Sequence, residues 1–213
     1  MDDPRFVYPM MLSLDGRRTL VVGGGRVALR KAQTLADAGA KVRVVSPEFL
    51  PEFAADGRLE LVREMYEARH VAGAFVVVAS TDDEAVNARV SADARAAGAL
   101  VNVVDRPALC DFIVPAVIER GELLIAISTG GAAPSLARKI RERLERDFGP
   151  EYAAYLTAMR HVRDRYKSAA LDPDVRRRLF ERLTEPDLLD AARAGPDALR
   201  RAIDSVIAEV LGA

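Results

Sequence analysis

Ten residues constrain this chain most: Thr19-Leu20-Val21-Val22-Gly23-Gly24-Gly25-Arg26-Val27-Ala28. A β-branched apolar run breaks into three glycines, and helix formers follow at once from Ala28 to Ala36. Strand, tight turn and helix are the opening of a dinucleotide-binding βαβ unit. Gly23, Gly25 and Ala28 fit G-x-G-x-x-A. Gly23 lets the chain turn sharply, Gly25 lets a pyrophosphate approach the backbone, and Ala28 lets the helix pack close to the strand. The helix N-terminus then offers free N–H groups and a partial positive charge. A glycine triplet alone is also an ordinary strand-to-helix turn. The second apolar run, Lys41-Val42-Arg43-Val44-Val45-Ser46, supplies the context that favours the nucleotide.

The chain has 213 residues, half of them hydrophobic, enough for one domain or two small ones. Lys+Arg 31 against Asp+Glu 32 leaves a net charge of −1, which argues against nucleic acid or an anionic membrane as the main partner. The single Cys110 excludes an internal disulfide and fits a reducing compartment. The N-terminus lacks a leader pattern and no apolar run nears the ~18 residues of a membrane span, so the expectation is a soluble cytoplasmic protein. There is no zinc-like Cys/His cluster.

Met1 to Gly16 reads as a lead-in, with Phe6, Val7, Tyr8, Met10, Met11 and Leu12 packing on the sheet edge and Asp15-Gly16 turning into the first strand. Helix one ends near Ala38, with Gly39 as its stop. A short strand is expected at 59–62, a helical turn near 67–72 and a fully buried strand at 74–79. Ser80 to Asp83 then feeds a helix over 84–97, closed by Gly98, and a strand over 100–104 ends at Asp105. This alternation predicts a Rossmann-like, doubly wound parallel sheet over residues 1–113. After Arg106-Pro107 the texture changes. Residues 108–117 are apolar without clear period, 123–128 is a further strand, and a helix runs from Pro134 or Ser135 to about Phe148 with Leu136, Ile140 and Leu144 on one face. Residues 150–213 read as a small all-helical domain, with Tyr152, Tyr155, Met159, Val162 and Tyr166 at helical spacing.

In a doubly wound sheet, ligands sit beyond the carboxyl ends of the strands. Gly23–Gly25, Ser46–Glu48, Ser80–Asp82 and Asp105 all fall there. Hydride transfer to a nicotinamide needs a base near the cofactor. Asp105 is the best-placed carboxylate, and a turn cap is the competing reading. Asn102, a polar amide inside an apolar strand, bonds either ligand or backbone. Thr81 and Asp82 touch cofactor or cap the next helix. Thr129-Gly130-Gly131 before a helix is either an anion nest or a flexible turn. Arg106, Arg138, Lys139 and Arg141 meet an acidic substrate or lie on solvated faces. His70 fits a satisfied core or surface residue, His161 borders an apolar stripe, and Cys110 fits a structural thiol.

These segments, in order, resemble the precorrin-2 dehydrogenase family of sirohaem synthesis. The matching stretches are Tyr8-Pro9, Val21 to Ala28 with Arg30-Lys31-Ala32, and Ser80-Thr81-Asp82-Asp83 with Asn87. Val101-Asn102-Val103-Val104-Asp105, Phe112 to Ala116, and Ser128-Thr129-Gly130-Gly131 with Pro134, Leu136, Ala137 and Arg138 continue the series, covering roughly residues 6 to 148. The resemblance implies oxidation of precorrin-2 to sirohydrochlorin with NAD, Fe2+ or Co2+ chelation as a second activity in some members, and a homodimer formed through residues 114–149. It implies that Asp105 is catalytic and that Gly23, Gly24, Gly25, Arg26, Val27, Ser46, Pro47, Glu48, Thr81, Asp82 and Asn102 face the cofactor. Arg106, Ser128, Thr129, Gly130, Gly131 and Arg138 would grip the tetrapyrrole carboxylates; no metal ligands are assigned. One departure stands out. The acidic residue that usually ends strand two is replaced by Ser46, with Glu48 two residues later. No arginine pair follows to take a 2′-phosphate, so NAD is favoured. Because the sequence ends near 213, the expectation is that the methyltransferase module of the trifunctional enzymes is absent.

Overall fold

A strand with apolar side chains on both faces needs cover on both, and the first half of the chain is built to supply it. The computed structural model describes residues 8–167 and 171–212. Its unit Tyr8–Val114 holds a five-stranded sheet of order β3-β2-β1-β4-β5, all parallel. The strands are β1 (Arg18–Val22), β2 (Lys41–Val45), β3 (Leu59–Val62), β4 (Val76–Ala79) and β5 (Leu100–Val103). Helices α1 (Arg26–Asp37) and α2 (Glu84–Ala96) cover opposite faces. Strand β4 shows why its sequence is an unbroken apolar run. Val76 and Val78 join the core around Ala28 and Ala32 of α1, while Val77 and Ala79 join that around Val90 and Ala94 of α2.

The chain passes from β1 to β2 on one side and later returns to β4 on the other. The topological switch point therefore lies between β1 and β4, where ligands bind in open α/β sheets. Register pairs Val22 with Ala79 and Ala79 with Val103. Gly23, Ser80 and Val104 thus leave the sheet side by side, with the exits of β1 and β5 two strand spacings (~10 Å) apart.

The lead-in departs from expectation. Tyr8, Met10 and Met11 are 86, 60 and 66% exposed, and Leu12 is exposed too; only Leu14 packs against the core. Phe6 and Val7 lie outside the described residues. Asp15-Gly16 does make the turn, with Gly16 at φ +66° and its N–H on the Gly39 carbonyl. Short 3-10 segments at Pro51–Ala55 and Ala68–Val71 stand in the crossovers around β3; the second matches the helical turn expected near 67–72.

The unit beginning at Pro115 opens with an antiparallel hairpin, β6 (Ala116–Arg120) and β7 (Leu123–Ile127), separate from the parallel sheet. Sequence periodicity missed β6. Helices α3 (Pro134–Asp147) and α4 (Glu151–Lys167) pack on this hairpin. The stripe expected on α3 is only partly covered, with Leu136 half exposed. Helices α5 (Pro173–Arg182), α6 (Pro186–Ala194) and α7 (Pro196–Leu211) complete the unit. Asp172 caps α5 by accepting from the Asp174 and Val175 N–H groups. Tyr155, Val162 and Tyr166 of α4 are buried with Leu179, Leu188 and Ile203.

Strand β5 is the outer strand beside β4, and the returning chain closes its free edge. The Val101 N–H donates to Asp111 Oδ2 (3.0 Å) and the Asp111 N–H donates to the Val101 carbonyl (2.8 Å). Arg95 Nε holds the other carboxylate oxygen at 2.9 Å. Asp111→Ala leaves the fully buried Val101 N–H without its acceptor, which costs about 1–3 kcal/mol. Urea denaturation is expected to show that loss, with faster hydrogen exchange at the Val101 amide; unchanged exchange there contradicts the edge assignment.

Candidate functional site

The glycine loop is shaped by close backbone contacts. Gly23 sits at φ +132°, and a Cβ on it would collide with the Ser80 carbonyl. A Cβ on Gly24 would overlap the Glu48 carbonyl oxygen and lie 2.7 Å from Ser46 Oγ. The loop is tied down by Gly23 N–H to the Val45 carbonyl (2.9 Å) and Leu50 N–H to the Gly24 carbonyl (3.0 Å). Gly25 differs. Its φ of −89° suits any residue, and a Cβ there would meet nothing within 4 Å. The protein does not need glycine at 25; open space above the backbone does fit an approaching ligand. Gly25 is also the N-cap of α1, with no side-chain cap and no acidic residue in the first turn. The first-turn N–H groups therefore lack intrahelical acceptors and face outward as an anion cradle. Arg26 and Val27 stand exposed at its rim. A dinucleotide pyrophosphate fits this set of donors.

Ser46 is buried and its N–H donates to the Val62 carbonyl (3.1 Å), while Pro47 and Glu48 are exposed. Ser46 therefore packs against Gly24, and Glu48 carries the exposed carboxylate of this strand end. At the exit of β4, Thr81 is held by Asn87. The Asn87 Nδ2 donates to the Thr81 carbonyl (2.8 Å), and Thr81 Oγ1 and N–H lie 2.9 and 3.2 Å from Asn87 Oδ1. Asp83, not Thr81 or Asp82, caps α2, accepting from the Ala85 and Val86 N–H groups. Asp82 is exposed. Asn87 is a residue whose role sequence reasoning missed; a buried amide on the first turn of α2 was the available signal.

Asp105 has φ +59°, the only positive φ outside glycine among the described residues. The Arg106 N–H donates to the Val103 carbonyl (3.2 Å), which closes a turn with Asp105 in the position that favours glycine. Cys110 braces the turn from below: its Sγ accepts from the Val103 N–H (3.2 Å) and contacts the Val103 and Arg106 carbonyls. The Asn102 Nδ2 donates to the Phe112 carbonyl (3.0 Å). Of the two partners expected for Asn102, the donor has taken backbone, so this residue clamps the return loop instead of offering its N–H groups to a cofactor. Arg106 is exposed and ion-paired with Glu84 of α2.

Lys31 of α1, assigned no role from sequence, shares an electrostatic field with Asp105. Burial lowers the Lys31 ammonium below its usual range, Arg30 adds to that, and the Asp105 carboxylate pulls the other way. Helix α1, whose N-terminus is the anion cradle, thus also carries a cation near enough to Asp105 for the two charges to interact. Gly23–Val27, Ser46–Glu48, Thr81–Asp82 and Asp105–Arg106 all follow the carboxyl ends of sheet strands, at one end of the sheet.

In the unit beginning at Pro115, Gly130 and Gly131 adopt φ +63° and +86°, with open space around each. The Gly130 N–H donates to Ser128 Oγ (3.1 Å) and the Ala133 N–H to Thr129 Oγ1 (3.2 Å), one turn before α3 begins. Arg138 is exposed beside Glu142. His161 is exposed, and the buried stripe residue is its neighbour Val162. His70 is a satisfied core residue: Nδ1 accepts from the Glu67 N–H and Nε2 meets Glu64 Oε2 at 3.2 Å. Among the described residues no group of three or more His, Cys, Asp or Glu side chains is arranged to hold a metal, and no helix is long and apolar enough to cross a membrane.

Residues 10–116 match a family model described as putative NAD(P)-binding, and residues 120–147 match one described as sirohaem biosynthesis protein central. A siroheme synthase of Ectopseudomonas mendocina is 42% identical over 205 residues, covering 94% of this chain and 44% of that protein. One of Pseudomonas putida is 44% identical over 193 residues, 89% of this chain and 42% of its own. The chain thus spans less than half the length of these curated relatives. Among solved structures, SirC, a precorrin-2 dehydrogenase, aligns with a TM-score of 0.75 at 28% identity, covering 94% of this chain and 98% of that one.

The glycines separate stability from binding. Gly25→Ala is expected to melt as the wild type does but to bind dinucleotide about 10- to 100-fold more weakly, the equivalent of ~1–3 kcal/mol of steric conflict. Gly24→Ala is expected to lower the melting temperature, because its Cβ meets backbone. Isothermal titration and thermal melts check both; a Gly25→Ala protein with unchanged affinity contradicts the cradle.

Proposed function

The chain belongs to the putative NAD(P)-binding family, and from that membership we propose that it is an NAD-dependent dehydrogenase acting on precorrin-2, forming sirohydrochlorin in sirohaem synthesis. The observation that carries the reading is the shared strand-exit end of the sheet: an anion cradle at Gly25, after β1, and an acidic left-handed turn at Asp105, after β5, open at that same end. The likeness to SirC over nearly its whole length supports the substrate.

Bound NAD supplies the hydride acceptor. The residues of this chain do the rest. The Gly25–Val27 backbone holds the pyrophosphate, and Glu48 offers the ribose an acceptor in place of the residue that usually ends strand two. Thr81 and Asp82 border the cofactor. Asp105 takes the proton that leaves as hydride departs, and Lys31 is the cation whose charge acts on it. Arg106, Arg138 and the Ser128–Gly131 loop are assigned to the substrate carboxylates. Homodimer formation through residues 114–149, chelation of Fe2+ or Co2+ as substrate and a cytoplasmic location complete the proposal. The apolar side chains left exposed at Val117, Leu124 and Leu136 support the dimer.

The test is anaerobic incubation with precorrin-2 and NAD, following NADH and sirohydrochlorin together; binding without turnover would leave a dinucleotide sensor. Sirohydrochlorin with Fe2+ or Co2+ reads the chelatase. Asp105→Gly is expected to keep stability within about 1 kcal/mol, since glycine relieves the left-handed strain, while turnover falls about 10²- to 10⁴-fold with the loss of the base. Full turnover by this variant excludes Asp105 from the chemistry.

A further inference from the structure

The opposite end of the same sheet, where the strands begin, carries a second feature that the proposed reaction does not use. A cavity of about 230 Å³ opens there, lined among others by Arg18, Lys41, Arg43, Glu60 and His70. Arg18 and Lys41 are the first residues of β1 and β2 and stand in direct register. Like charges directly opposite on neighbouring strands repel, and among the described residues neither has an acidic partner within ion-pair distance. Arg43 lies two residues further along β2, on the same face as Lys41. One arm of its guanidinium meets Glu60 at 2.8 Å. Its Nε is buried with no hydrogen-bond partner. An orphaned buried guanidinium N–H is costly unless an acceptor arrives. His70 forms wall rather than ligand, since both its ring nitrogens are engaged by Glu67 and Glu64. Three cations against one carboxylate leave the cavity with an excess of positive charge.

We propose that this cavity is a binding site for a small multivalent oxyanion, phosphate or a di- or tricarboxylate, seated between Arg18, Lys41 and Arg43. Such a ligand relieves the in-register repulsion of Arg18 and Lys41 and supplies an acceptor on the Arg43 side. The inference is independent of the role given to Asp105.

Isothermal titration of the full chain with inorganic phosphate, and separately with citrate, tests it in zwitterionic buffer of low ionic strength. Saturating NAD occupies the glycine loop, so that loop does not take the probe. One saturable site is expected, weakening as salt is raised, and the stronger of the two probes identifies the oxyanion class. The Arg18→Gln/Lys41→Gln double variant is expected to bind that probe at least ~10-fold more weakly with unchanged NAD affinity, which also reports that it folds. Arg43→Lys, which keeps charge but removes the Nε donor, is expected to weaken the site as well. Absence of saturable binding up to ~10 mM of either probe, or equal binding by the double variant, overturns the proposal.

Discussion

Two backbone-on-backbone approaches organise this molecule. Gly23 lies against the Ser80 carbonyl and Gly24 against the Glu48 carbonyl, each closer than any side chain permits. Through them the exit of β1 is locked to the exits of β4 and β2, and the N-terminus of α1 is aimed over the switch point. A Cβ on Gly25, one step on, would meet nothing within 4 Å. The first two glycines serve the fold and the third serves the space above it.

The second structural commitment is the Asp105 turn. A non-glycine residue at φ +59° is held there by several supports: Cys110 beneath the turn, Asn102 on the return loop and Asp111 along the β5 edge. Glycine would adopt this conformation more readily. This acidic side chain stands at the strand-exit end of the sheet that also carries the glycine loop, and the proposed role of Asp105 as base rests on that placement. Lys31, on the helix that begins at the glycine loop, interacts electrostatically with the same turn.

Much of the parallel sheet was legible because its physics is local. Strand β4 reads as apolar on both faces because both faces are covered, and α1 and α2 stop at Gly39 and Gly98, both in left-handed conformation. What escaped depended on distant partners. Asn102 could be placed in a strand, but its bond to Phe112 lies ten residues away in a loop without periodicity. The left-handed turn at Asp105 leaves no mark in sequence, since aspartate is compatible with many turns. Strand β6 is short and half exposed, so its alternation was too weak to separate from the preceding apolar stretch. Tyr8, Met10 and Met11 look like core residues by composition alone, and the described chain leaves them uncovered.

The central claim is that one crevice holds both the dinucleotide and the Asp105 turn. A crystal structure of the chain with NAD bound tests it most directly. The account predicts the pyrophosphate on the N–H groups of Gly25 to Val27 and the nicotinamide ring lying over the exits of β1 and β4, facing the Asp105 carboxylate. A nicotinamide directed instead past Ser46 toward β3, with Asp105 facing only solvent, would contradict it.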